Sequence, residues 1–517
     1  MNSLPKNAIM LMITSQDWGG AQLYVFELAK ELKARGEKVI VVAGGDGNPL
    51  SLRDISFDKE TSKNNNSTPN IASTVPKSPL VKEGHSANAE LGDLSPLVKE
   101  GHSMQSIESV APSPLVKEGH PAQSAGLGDL SPLVKEGHPA QSAGLGDLSP
   151  LVKEGHPAQS AGLGDFRPGH ELSTKCLSFG IPFVELKHMS RDINPLANIK
   201  AVFELVKLFR ELEPKAVHLN STMMGVVGSL SAKLAKVPKT VYCIGGWVFN
   251  EDLPSWKKKI YIWIERVSAK WKDVIITVHP GDEALAKELK IKAKEKIVTI
   301  PNGIDVKEFE SGLLSKEVAR ERLGIHPEAV IVGTIANAYP PKNLLWYLEV
   351  CKKVHEADRR ICFVIMGDGP QFEALQKKRD ELGVQNYVML TGRKMDAPTL
   401  YRAFDMFVLP SSKEGMSITL LEAMSAKVPI VATDVGGAKW MLEPKAGLVV
   451  PPKDIKSLGG AILELAKDPI RGAQLADKAY EAVKERFQKE KVMEETVTEI
   501  TNNQQNNNQS LNNQKTP

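Results

Sequence analysis

Residues 411–424 read SSKEGMSITLLEAM, and the fold follows from how that stretch is parsed. A short apolar run, residues 406–409 (MFVL), precedes it and stops at Pro410, as a buried parallel strand does. Behind it Ile418, Leu421, Ala423 and Met424 recur at helical spacing. The unit is therefore strand, loop, helix. Two carboxylates, Glu414 in the loop and Glu422 on the helix, are separated by seven residues. The N–H groups of Met416, Ser417, Ile418 and Thr419 fall at the start of the helix, where they have no intrahelical partner and face an anion, while each glutamate is free to accept from sugar hydroxyls. A phosphorylated sugar needs both. Two glutamates at this spacing are also common as solvated helix residues, so their meaning depends on the rest of the chain.

The same strand, loop, helix unit recurs on both sides. Residues 8–14 (AIMLMIT) form a first strand, followed by a loop holding Gly19 and Gly20 and a helical pattern at Leu23, Phe26, Leu28, Ala29 and Leu32. Without Cβ atoms the two glycines let a ligand approach the backbone beside the helix's positive end; a plain tight turn is the alternative. Further strands are expected over residues 38–43, 181–186, 216–219, 239–244, 273–278 and 296–300, and then over 330–336, 361–366, 387–391, 406–409, 429–433 and 447–451. Helices alternate with them, notably over 196–212, from Leu344, over 455–466 and over about 471–500. Such alternation predicts doubly wound parallel sheets with ligands at the strands' carboxyl ends. Asn220, Gly245, Gly246 and Trp247 lie at such ends in the first half, and Asn337, Lys342, Gly367 and Arg393 in the second.

Between these elements the composition changes. The octamer SPLVKEGH begins at Ser78, Ser95, Ser113, Ser131 and Ser149. Each repeat has too few large apolar residues to bury a face, so residues 53–166 are expected to be a disordered insertion in a surface loop rather than a solenoid. Its histidines, His85, His102, His120, His138 and His156, have no fixed geometry for a metal. Residues 501–517, mostly Asn and Gln, are expected to be a disordered tail.

Residues 256–271 (WKKKIYIWIERVSAKW) place Ile260, Trp263, Ile264, Val267 and Trp271 at helical spacing behind Lys257, Lys258 and Lys259. The favoured expectation is an amphipathic helix packed on its own sheet. The sharper alternative is a basic, tryptophan-bearing patch over 256–272 that meets an anionic membrane surface.

Composition bounds the partners. The 517 residues carry a net charge of +3, 42% hydrophobic and 25% charged residues, ordinary for a soluble multidomain protein and no argument for nucleic acid. Cys176, Cys243, Cys351 and Cys362 are scattered, without metal-ligand or disulfide-framework spacing, so a reducing cytosol is the expected compartment. The start has no leader pattern and no run is long enough to span a bilayer. Contact with a membrane is expected to be peripheral, at its inner face.

The order Gly19-Gly20, IPNGID (residues 300–305), the Lys342 loop, GDGP (367–370), LTGR (390–393), EGMSITLLEAM (414–424) and ATDVGG (432–437) resembles the retaining glycosyltransferases of family 4. The resemblance covers nearly all of the chain except the insertion and the tail. It implies a GT-B fold, two Rossmann-like domains facing across a cleft: residues 1–52 plus 167–303 on the acceptor side and 304–500 on the nucleotide-sugar side, with the last helix able to pack back on the first domain. It implies transfer of a hexose-type sugar from a UDP- or GDP-type nucleotide-diphosphate sugar to a saccharide or lipid-phosphate-linked acceptor, in cell-surface polysaccharide or glycolipid synthesis, with no obligatory cofactor and no metal. Glu414 would hold donor sugar hydroxyls and Glu422 the ribose, with Lys342 and the Met416, Ser417 and Ile418 amides taking charge on the departing diphosphate. Gly19, Gly20, Asn337, Gly367, Arg393 and Gly415 would line the donor, and Asn220, Gly245, Gly246 and Trp247 the acceptor side. The leaving phosphate would help deprotonate the acceptor. The chain departs from the pattern where Asn337 replaces an arginine, Gly245 and Asn220 replace histidines, and Asn343 replaces a glycine. The departures at Gly245 and Asn337 are the argument for the alternative function, a degenerate GT-B protein that binds a nucleotide sugar without turnover.

Overall fold

Residues 4–16, 19–45, 171–189 and 195–502 are described by the structure, a computed structural model of the chain. The expected repeat insertion, nearly all of the expected tail, and Asp17 and Trp18 of the glycine loop lie outside the described residues.

Seven apolar runs build the first sheet: β1 (Ile9–Ile13), β2 (Val39–Gly44), β3 (Phe183–Leu186), β4 (Ala216–Asn220), β5 (Thr240–Ile244), β6 (Val274–Thr277) and β7 (Lys296–Thr299). Six build the second: β8 (Val330–Ile335), β9 (Ile361–Met366), β10 (Val388–Gly392), β11 (Met406–Leu409), β12 (Ile430–Thr433) and β13 (Leu448–Val450). Their orders are β3-β2-β1-β4-β5-β6-β7 and β10-β9-β8-β11-β12-β13, and the central pairings are parallel, with Ile9 opposite Val39 on one side and Ala216 on the other. Both orders reverse beside the first strand of the sheet, β1 or β8, which opens a crevice at the carboxyl ends. The expected strands and the two-sheet α/β architecture are thus present.

Helices cover both faces of the first sheet. They are α1 (Gly20–Ala34), α2 (Glu171–Ser178), α3 (Pro195–Leu212), α4 (Thr222–Ala235), α5 (Ser255–Ala269) and α6 (Pro280–Glu288). Leu205, Leu208 and Phe209 of α3, Met224 and Val227 of α4 and Ala269 of α5 share one core with Met10, Ile40, Val217 and Ile275. The second sheet carries α7 (Val306–Gly312), α8 (Lys316–Leu323), α9 (Leu344–Ala357), α10 (Phe372–Glu381), α11 (Ile418–Ser425), α12 (Ala438–Met441), α13 (Ile455–Lys467) and α14 (Pro469–Arg486). The last helix, α15 (Lys489–Thr501), joins the core on the other face of the first sheet through Val492, Val497 and Ile500, alongside Ile9, Val25 and Val241. Lys489 and Glu499 fasten it there through ion pairs with Glu27 at 2.6 Å and Lys296 at 2.8 Å.

Two expectations are corrected. The single helix over about 471–500 is broken between α14 and α15, because the chain recrosses between the lobes there. Gln488 forms an isolated parallel bridge with Ile304, whose N–H donates to Phe487 O at 2.9 Å, and Phe487 is fully buried. The second correction concerns α5, which does not lay its apolar stripe on the sheet. Glu265, Ser268 and Ala269 are buried, as is Lys272 just beyond, while Trp256, Ile260 and Trp263 face outward. A charged pair fills the interior position instead: Lys272 donates to Glu265 Oε2 at 3.0 Å and to Ser268 Oγ at 3.1 Å, over the Tyr242 ring at 4.0 Å. Burial pulls the Lys272 pKa below its ordinary value, against the pull of Glu265.

Breaking this pair strands a buried charge. Lys272→Met is expected to lose about 3–5 kcal/mol of stability, and Lys272→Met with Glu265→Leu to recover most of it, in urea unfolding followed by circular dichroism. An equal loss in both variants would contradict this account of α5.

Candidate active site between the lobes

The glutamate loop is stitched on all sides. It leaves β11 at Pro410 and reaches α11 with Ser417 as the N-cap, whose hydroxyl accepts from Leu420 N–H at 3.3 Å. Behind it, Ser412 N–H donates to Pro341 O at 2.8 Å and Asn343 Nδ2 to Pro410 O at 3.3 Å, so the Lys342 turn and the glutamate loop move as one. Thr433 Oγ1 donates to Ser411 O at 2.6 Å, and Gly437 N–H to Gly415 O at 2.7 Å. Asn302, from the crossover between lobes, donates through Nδ2 to Met416 O at 3.1 Å. No single one of these contacts was marked as functional in the sequence. Asn302 stands in the PNGID turn of residues 301–305, and an amide side chain there can tie two loops together.

Charge is concentrated at the tip. Lys342 Nζ donates to Glu414 Oε1 at 2.7 Å, and Ser411 Oγ donates to the same oxygen at 2.6 Å. The Lys342 side chain keeps 27% of its surface open against 10% for Glu414, so the ammonium is the more accessible partner. The N–H groups of Met416, Ser417 and Ile418 donate to no described residue. They and the amino end of α11 supply partial positive charge next to Lys342. Glu422 lies farther along α11, where Tyr401 donates to Oε2 at 2.7 Å from a fully buried ring. Burial raises the Glu422 pKa to about 7, with the Tyr401 hydrogen bond working the other way.

The opposite lobe meets this loop backbone to backbone. Gly415 lies so near Gly245 that a Cβ on it would stand 2.3 Å from Gly245 O, and a Cβ on Gly436 would stand 2.3 Å from Glu414 O. Gly246, at φ +104°, has its own Cβ position 3.1 Å from Gly415 Cα. A Cβ on Gly20 would come within 3.0 Å of Ile418 Cγ1, and one on Gly19 within 3.8 Å of Asn337 Nδ2. Gly367, at φ +137°, folds onto Ala336 and donates to Gly392 O at 2.9 Å. The structure therefore brings together Gly19, Gly20, Asn337, Lys342, Glu414, Gly415, Met416, Ser417, Ile418, Gly245 and Gly246.

Three expected residues are turned to other uses. Trp247 is a correction: expected on the acceptor side, it is 0% exposed, donates to Asp282 O at 3.0 Å and stacks on Phe249. Asn220 is buried, and its Nδ2 is within hydrogen-bond reach of Met12 O at 3.3 Å and His218 Nδ1 at 3.0 Å. Burial lowers the pKa of that histidine to about 3, so it is neutral. Arg393 donates to Glu171 Oε1 at 2.7 Å, across to the first lobe. Two buried groups went unmarked in the sequence. Gln16, at the end of β1, has an amide with no hydrogen-bond partner among the described residues, and His279 Nε2 lies 3.1 Å from Asp282 Oδ2 behind Gly437. Neither is flagged by composition or spacing. Among the described residues no cluster of His, Cys, Asp and Glu is arranged to hold a metal.

The family model described as "Glycosyl transferase 4-like domain" matches residues 149–303, and "Glycosyl transferases group 1" matches residues 326–468. The chain is 28% identical over 287 residues to the Escherichia coli UDP-Gal:alpha-D-GlcNAc-diphosphoundecaprenol alpha-1,3-galactosyltransferase, covering 54% of this chain and 74% of that one. It is 25% identical to the putative teichuronic acid biosynthesis glycosyltransferase TuaC of Bacillus subtilis, covering 54% and 68%. In fold it is similar to Anabaena HepE, solved in complex with UDP, at a TM-score of 0.58 and 15% identity over 95% of this chain and 98% of that one.

The raised Glu422 pKa has a defined sign. Between the ordinary value of 4.5 and about 7 the folded state holds a proton that the unfolded chain releases, so stability falls as pH rises through that window. Glu422→Gln stays neutral. Its stability relative to the wild type is expected to rise by about 1–2 kcal/mol from pH 4.5 to pH 8, a figure discounted because the residue as a whole is half-buried, in thermal unfolding at both pH values. A difference independent of pH would contradict the burial of that carboxyl.

Proposed function

As the chain belongs to the glycosyl transferases group 1 family and is a glycosyltransferase, we propose that it transfers a hexose-type sugar from a UDP- or GDP-type sugar with retained anomeric configuration. The acceptor is a saccharide or a lipid-phosphate-linked saccharide, and the product is a cell-surface polysaccharide or glycolipid. The donor class is supported by the names of two proteins similar to it, one acting on UDP-Gal and one solved with UDP; the acceptor class is supported by the diphosphoundecaprenol in the first name.

The observation that carries the reading is the Lys342 to Glu414 bond beside three N–H groups that have no acceptor among the described residues. A nucleotide diphosphate placed there accepts from the Met416, Ser417 and Ile418 amides and draws Lys342 away from Glu414 as a mobile counter-charge. Glu414, released from the lysine but still held by Ser411, accepts from donor sugar hydroxyls. Glu422 accepts from ribose hydroxyls, with Tyr401 fixing its second contact. Gly19 and Gly20 close over the diphosphate from the first lobe, Gly367 and Asn337 line it from the second, and Gly245 leaves room for the acceptor with Gly246 holding the turn beside it.

In the transfer the bond from the anomeric carbon to the diphosphate oxygen breaks and a bond to the acceptor oxygen forms on the same face. The acceptor's proton passes to the leaving phosphate. Charge grows on the diphosphate in the transition state, where the amides and Lys342 are already oriented to meet it, so no reorganisation is required at that moment.

Nucleotide release from UDP- and GDP-sugars tests this. Lys342→Ala and Glu414→Ala are expected to reduce turnover about 100-fold or more. Glu422→Ala is expected to weaken nucleotide binding by about 1–3 kcal/mol. Binding of a nucleotide sugar without release, or variants as active as the wild type, would overturn the reading.

A further inference from the structure

On the first lobe, α3, α4, α5 and α6 cover one face of the sheet, and α3 and α5 carry exposed apolar side chains. Trp256, Ile260 and Trp263 of α5 are 61%, 47% and 63% exposed, and Leu196, Ile199 and Phe203 of α3 are 73%, 55% and 71% exposed. A helix in a water-facing position ordinarily buries such residues. Here α5 does the reverse, because its interior position is taken by the Lys272 to Glu265 pair. That pair also removes the one acidic side chain of α5 from its outer face, leaving Lys257, Lys259 and Arg266 exposed there. On α3, Lys200 and Arg210 are exposed as well. Among the described residues no helix is long and apolar enough to cross a membrane.

We propose that the outer face of α3 and α5 docks on an anionic lipid surface. Tryptophan, isoleucine and phenylalanine enter the boundary between headgroups and acyl chains, and the lysines and arginine meet the lipid phosphates. A second copy of the chain is the competing occupant. A two-fold contact would set Lys257 and Lys259 of one copy against the same residues of the other, with no acid on the outer face of α5 to offset them. Charge therefore favours the anionic bilayer.

The face also stands in a useful place. Helices joining parallel strands begin at the strands' carboxyl edge, so Trp256 and Leu196, in the first turns of α5 and α3, lie toward the edge that holds Gly245 and the glutamate loop. Docking rests on the exposed face alone. Its use, bringing the cleft mouth to a lipid-linked acceptor, rests on the function proposed above.

Flotation of the full chain with phosphatidylcholine vesicles, with and without phosphatidylglycerol, tests the docking. The wild type is expected to float with the anionic vesicles only, and binding is expected to weaken with added salt. Trp256→Ser with Trp263→Ser, and separately Lys257→Glu with Lys259→Glu, are expected to reduce binding about tenfold or more. Circular dichroism and nucleotide release with a soluble sugar acceptor should match the wild type, so loss of docking is read apart from loss of catalysis. Failure to float, floating unchanged in both variants, or a concentration-dependent dimer that the tryptophan variant abolishes would overturn the proposal.

Discussion

Everything at the cleft depends on the closeness of bare backbone between the lobes. Gly415 lies so near Gly245 O that a methyl group has no room, Gly246, at a φ that favours glycine, approaches Gly415, and within the second lobe Gly436 packs under Glu414 with no room for a methyl group either. No side chain separates the lobes there, so the carbonyl and amide groups of the glutamate loop are positioned by the backbone of the other lobe. The same constraint explains why Gly245 differs from its neighbours. A Cβ on Gly245 would meet nothing within 4 Å, so its lack of a side chain is not demanded by packing and leaves open space at the junction.

That contact is held in place by a second one at the far side of the junction. The chain crosses from the first lobe to the second at Ile304 and returns at Gln488, and the two crossings pair through Ile304 N–H to Phe487 O and Lys489 N–H to Ile304 O. Asn302, two residues before the first crossing, donates to Met416 O. A short path thus runs from the crossing to the amides at the start of α11, so any change in how the lobes meet acts directly on those amides.

Much of this was legible in the sequence. Strands buried on both faces read as unbroken apolar runs, such as IMLMI in β1 and ICFVIM in β9, and burial of every residue in both strands is the reason the reading works. The glutamate loop was legible because its residues lie together in sequence. What was not legible depends on partners far away. Arg393 pairs with Glu171, 222 positions earlier, and neither residue carries a local sign of the other. Trp247 had the chemistry of a sugar platform and the burial of a core residue, and only the approach of Asp282 and Phe249 decides between them. The orientation of α5 was misread because a periodic apolar stripe shows that a helix is two-faced and not which face is inside; the buried Lys272 and Glu265 settled that against expectation.

The account's central claim is that a nucleotide diphosphate takes Lys342 from Glu414 and lies on the amides at the start of α11. A crystal structure with a bound UDP-sugar or GDP-sugar measures this directly. The account predicts phosphate oxygens within hydrogen-bond distance of the Met416, Ser417 and Ile418 N–H groups, with Lys342 turned onto the diphosphate and Glu414 facing the sugar. A nucleotide bound elsewhere, with the 2.7 Å bond between Lys342 and Glu414 intact, would contradict it.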